Sequence, residues 1–158
     1  MVHSFRVDAA VGQQVLRGAM SQSGHWRANS GQLDHGGVGV KDFRRLQVWH
    51  DAHQLVLVVY RETSNLPADE HLGLTNQLRR AAVSIPANIA EGCGPRTDDD
   101  FARFMDYAMA SASEVEHHLL LACDLDILPN DSHERLHQKT TEVKRMLASF
   151  LGKLRADR

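Results

Sequence analysis

The side chains of this chain that are equipped for chemistry are chiefly histidines and arginines. "HERLH", His133 to His137, has the HExxH form, in which two histidines one helical turn apart hold zinc and the glutamate between them acts as general base. Its surroundings point elsewhere. The motif opens a helix directly after "PNDS", and no HxxGxxH extension comes after it. Glu142, the nearest downstream acid, is too close for the usual third ligand. Ten histidines in 158 residues also make chance matches frequent. Zinc-dependent hydrolysis is kept only as an alternative. His50 and His53, with Asp51 between them, are a weak chelating pair at best, and the adjacent His117 and His118 point apart. All four read as solvated helix histidines. No catalytic residue, metal ligand or cofactor is expected.

The more specific pattern is polar and structural. In "RRAAVSIPANIAEG", Arg79 to Gly92, the apolar spacing is helical although Pro86 stands in the middle. Leu74, Leu78, Ala81, Ala82, Ile85 and Ile89 share one side of that helix, and Gln77, Arg80, Ser84, Asn88 and Glu91 form a second sector beside it. An interior proline costs about 3 kcal/mol relative to alanine, because it removes an amide donor and crowds the carbonyl four residues back. Ser84 and Asn88 are placed to bond freed backbone groups or neighbouring helices. The expectation is a kinked helix whose polar row stitches helices or subunits together; the alternative makes Arg80, Asn88 and Glu91 part of a binding site, though no nucleophile or base completes it. Gly92 and Gly94 are expected to stop it, and Pro95 to block its resumption.

The elements that must position these groups are helical throughout. A first helix is predicted over Phe43 to Thr63, with Trp49, Ala52, Val56 and Val59 as its seam. Leu55, Leu57 and Val58 lie outside that seam, which predicts a second greasy face and hence a subunit interface. The second helix is predicted over Glu70 to Glu91. The third opens at Thr97 as N-cap, with Asp100 at the capping-box position and three aspartates at the positive end of the dipole. Phe101, Met105, Ala108, Ala112, Val115, Leu119 and Ala122 then repeat at 4, 3, 4, 3, 4, 3. The fourth is capped by Asp131 or Ser132, with Leu136, Thr140, Val143, Leu147, Phe150 and Leu154 as its stripe. The fold class is all-α: an antiparallel up-down-up-down four-helix bundle with a kinked second helix. Residues 1–40 are rich in Gly, Ser, Asn and Gln without a sustained period, so they are expected to be a disordered or loosely attached leader to a 41–158 bundle domain.

Composition narrows the function classes. The net charge is −2, with −3 in the bundle and +1 in the leader, and neither nucleic acid nor an anionic membrane is demanded as partner. Cys93 and Cys123 form no CxxC pair, which suits a reducing cytoplasm. The apolar run "LVLVVY" is far short of a membrane span. Basic residues are scattered without interleaved aromatic stacking platforms. An oligomer could still gather Arg44, Arg45 and Arg96 into an anion site.

Three stretches carry a family likeness: "FRRLQVWHDAHQLVLVVY", "LTNQLRRAAVSIPANIAEGCG" and "DFARFMDYAMASASEVEHHLLLACDLDIL". Over Phe43 to Leu154 the chain resembles the four-helix-bundle proteins encoded by 23S rRNA intervening sequences. That resemblance implies a homopentamer of four-helix subunits with no known catalytic activity. A related branch, the accessory variability protein of diversity-generating retroelements, works beside a reverse transcriptase and binds nucleic acid through a basic surface. Arg80, Ser84, Pro86, Asn88, Glu91 and Gly92 fall on the family's signature positions, and Ser111 and Glu114 on its second block. The resemblance thus implies a non-enzymatic, homo-oligomeric accessory or scaffold for RNA or a ribonucleoprotein; from the basic residues near helix ends and seams, Arg44, Arg45, Arg79 and Arg96 are the candidate nucleic-acid contacts. Neither a membrane nor a small-molecule substrate is expected as partner. The alternative is a protein-interaction module with no nucleic-acid role.

Overall fold

The computed structural model describes residues 42–64, 66, 73–94 and 97–156, all within the second of the chain's two units, Gly37–Arg158. The predicted leader and Arg96 lie outside the described residues. A 3-10 turn, Phe43–Arg45, precedes four helices: α1 (Gln47–Glu62), α2 (Leu74–Gly92), α3 (Asp98–Asp124) and α4 (Asn130–Ala156). No strand occurs among the described residues.

Each helix packs mainly on two neighbours, α1 on α2 and α4, and α3 on α2 and α4, so α1 and α3 stand at opposite corners. Four contacts near the helix ends set the directions. Arg79, early in α2, donates from Nε to Thr63 Oγ1 (2.8 Å) and from Nη2 to the Thr63 carbonyl (3.1 Å) just beyond α1. Gly92 at the end of α2 meets Phe101, Phe104 and Met105 near the start of α3. Arg155 at the end of α4 pairs with Asp106 early in α3 (2.9 Å). Glu62 at the end of α1 accepts from Ser132 (2.5 Å) and Arg135 (2.9 Å) early in α4. Every neighbouring pair is therefore antiparallel, as an up-down-up-down bundle requires.

The third helix matches its pattern throughout: all seven residues of the predicted repeat are buried. Thr97 caps it as expected, its hydroxyl oxygen accepting from the Asp100 amide (3.2 Å). The first helix differs. Its buried line is Val48, Ala52, Leu55 and Val59, while Trp49 and Val56 are only half-buried. Leu55 and Val58 are taken up by the bundle's own core, and Leu57 is left exposed. The reason is geometric. A helix in the corner between two neighbours buries a wider sector than one facing a single partner, so apolar residues outside a 3-4 line need no second subunit. The predicted first helix is also interrupted: Asp42 caps the 3-10 turn and Leu46 is extended (φ −89°, ψ 118°) before α1 begins.

Two helix ends correct the expectation. Neither Gly92 nor Gly94 takes a left-handed φ. The C-cap of α2 is Cys93 in right-handed geometry (φ −74°, ψ −6°), and Gly92 is a close-approach residue, since a Cβ there would stand 2.8 Å from Phe104 Cβ. Helix α4 starts at Asn130, one residue ahead of the predicted caps. Asp131 lies in its first turn, and Ser132 is buried with its hydroxyl given to Glu62. Late in α4 burial passes from Leu147 to Leu151, leaving Phe150 and Leu154 half-buried.

Candidate nucleic-acid interface

The signature residues divide between inside and outside. Pro86 is buried in α2, which runs through it as one helix. Two residues on, Asn88 Nδ2 donates to the Ser84 carbonyl (2.9 Å) and to Ser84 Oγ (3.0 Å). The hydroxyls of Ser84 and Ser111 lie 2.9 Å apart across the α2–α3 boundary, and the Ser111 hydroxyl is 3.0 Å from the Tyr107 carbonyl. One proton per hydroxyl satisfies a chain running Asn88, Ser84, Ser111, Tyr107 carbonyl. The network ties the helix turn containing the proline to its neighbour. Arg80 and Glu91 face outward on α2. Glu114 is exposed on α3 and accepts from His118 Nε2 (3.4 Å).

Of the four arginines proposed as contacts, Arg96 lies outside the described residues, and Arg44, Arg45 and Arg79 do not form one site. Arg79 is half-buried, with its donors on Thr63 and its guanidinium 5.0 Å from the Tyr60 ring. Arg44 and Arg45 are exposed at the other end of α1, roughly 25 Å away at 1.5 Å of rise per residue. There they sit beside an aromatic cluster. Trp49 packs near-parallel on His53 (centroids 5.1 Å, 9°) and tilted on Phe43 (4.8 Å, 55°). The Arg44 guanidinium lies 4.6 Å from the Phe43 ring, and His50 Nε2 donates to the Arg44 carbonyl (2.6 Å). His50 and His53 thus serve to hold the turn and stack on Trp49. Sequence reading sees no stacking platform here because Phe43 comes to Trp49 only through the extended break at Leu46. The i, i+4 spacing of Trp49 and His53 was the available signal.

At HERLH, the His133 and His137 rings stack on each other (5.8 Å, 10°), and Glu134 accepts from Gln138 (2.6 Å). Among the described residues no group of three His, Cys, Asp or Glu is arranged to hold a metal ion. Cys93 and Cys123 form no disulfide with each other. No helix of the described residues is long and apolar enough to cross a membrane.

Charge is divided among the helices. Helix α3 carries seven acids and one base, a net −6; α4 carries six bases and three acids, a net +3. Residues 42–62 are balanced, three against three. Because α3 stands opposite α1, the acidic helix faces away from the α1–α4 side. Among the α4 bases, Lys144 pairs with Glu116 (2.6 Å), Arg155 with Asp106 and Arg135 with Glu62. Lys139 and Arg145 are exposed and form no ion pair among the described residues. The Arg135 guanidinium and the Ser132 hydroxyl hold the Glu62 carboxyl below the usual carboxylate range, and Lys144 does the same for Glu116.

Residues 44–149 match the family described as 23S rRNA-intervening sequence protein. The chain belongs to that family. Among solved structures, a Bacteroides thetaiotaomicron protein of unknown function from the S23 ribosomal protein family has the same fold. The TM-score is 0.60 at 22% identity, over 66% of this chain and 97% of that one. A search of curated proteins gives no match.

Proposed function

We propose that this member of the 23S rRNA-intervening sequence protein family is a non-enzymatic accessory or scaffold for RNA, acting as a homo-oligomer, with a pentamer as the expected form. The observation that carries the RNA role is the division of charge. A net −3 over the bundle argues against phosphate binding only if charge is spread evenly, and it is not: α3 alone accounts for −6. The exposed bases Arg44, Arg45, Lys139 and Arg145 all lie off α3, so phosphates can meet positive charge away from the acidic helix. Self-association is assigned to the α2–α3 flank, where Val83 and Tyr107 stay exposed within one turn of the Ser84–Asn88–Ser111 network. Arg80, Glu91 and Glu114 are the polar rim of that flank.

Filter binding to RNA across a salt series tests the RNA role. Binding at low salt that weakens steeply as salt rises supports it, since phosphate contacts release counterions. Absence of binding at low salt removes it and leaves the protein-interaction reading. That second reading has its own observation, the exposed Leu120, Leu121 and Leu125 near the end of α3. Light scattering tests the oligomer: a monomer at micromolar concentration contradicts self-association.

A further inference from the structure

We propose that the shelf formed by the 3-10 turn and the first turns of α1 binds single-stranded RNA by stacking an unpaired base on His53, with Arg44 and Arg45 holding the flanking phosphates. The inference rests on the RNA role proposed for this family member and adds a ligand class and a contact. Three observations carry it. His53 is exposed and is the outermost plate of a stack whose next ring, Trp49, is half-buried and fixed by Phe43 on another side. A base added there extends an existing stack instead of ordering a free side chain. Arg44 and Arg45 are both exposed, and the Arg44 guanidinium, over the Phe43 ring (4.6 Å), has only a long ion pair, to Asp42 (3.6 Å). The backbone presenting them is held by the His50 hydrogen bond and the Asp42 cap, so the charges are positioned before any ligand arrives. Stacked bases in a duplex are closed to such a plate, whereas single strands offer their faces.

The test is titration of the full chain with a labelled single-stranded oligouridylate and with a duplex RNA of equal length, at low salt. Single-strand affinity is expected to exceed duplex affinity. His53→Ala, an exposed position, is expected to weaken single-strand binding about five- to tenfold with the salt dependence unchanged, and His53→Tyr to restore it to within about twofold. Arg45→Ala is expected to weaken both ligands and to lower the salt slope by about one. Single-strand binding that is indifferent to His53→Ala, or duplex binding of equal strength, overturns the stacking site while leaving the RNA role intact. Failure of the wild-type protein to bind either RNA overturns both.

Discussion

Gly92 is set by its neighbour more than by its own backbone. It ends α2 where α3 comes closest, and the first atom of any side chain would meet Phe104 Cβ. Gly92→Ala is expected to destabilise the bundle by roughly 1–3 kcal/mol, read from the urea midpoint, because Phe101 and Phe104 are buried and have little room to give. At Asn88 the loss is of a different kind. Asn88→Ala leaves the Ser84 carbonyl and hydroxyl without their side-chain donor, and a loss of about 1–2 kcal/mol is expected. Combined with Ser111→Ala the two should fall short of additivity, since both act on Ser84. Glu62 gives a pH signature. Its carboxyl is held below the ordinary value, so its contribution is present above that value and is lost as pH falls through the folded one. Glu62→Gln should flatten the decline of stability as pH falls through and below the ordinary carboxylate range and lower stability at neutral pH by about 1 kcal/mol, measured by thermal melts across pH. The glycine's role was not readable in the sequence, where "GCG" before proline resembles a stop signal. It depends on how near another helix passes.

At the scale of the element, readability tracked the regularity of the repeat. Helix α3 alternates 4 and 3 without exception, and all seven predicted positions are buried. Its cap was equally clear, because Thr97 and Asp100 act within one turn of each other. Helix α1 has apolar residues on too many positions for a single line to stand out. Burial selects Val48 and Leu55 over Trp49 and Val56 because α1 lies in the corner between α2 and α4. The distinction is measurable. Leu55→Ala should cost about 2–5 kcal/mol, as a fully buried leucine does, while Leu57→Ala should change stability by about 0.5 kcal/mol or less in the same urea unfolding experiment. The aromatic cluster was hidden for a related reason. Phe43 belongs to no helical period with Trp49, and only the extended residue Leu46 turns it back onto that ring.

Over the whole molecule, the cyclic order of the helices converts an ordinary composition into a divided surface. A net charge of −2 averages an acidic helix with a basic one, and composition alone does not place α3 across the bundle from α1. Packing does. The ion pairs Lys144–Glu116 and Arg155–Asp106 neutralise the boundary where α3 and α4 touch, and they leave Lys139 and Arg145 to act outward. The measurement that bears most directly on this division of charge is RNA binding at low salt by Lys139→Glu/Arg145→Glu beside the wild-type protein. Both positions are exposed on α4, so the fold should be retained, as checked by circular dichroism. The reversed protein is expected to lose at least about tenfold in affinity and to show a shallower salt dependence than wild type. Binding that is equally tight, with the same salt slope, would contradict a phosphate-binding role for the exposed bases of α4.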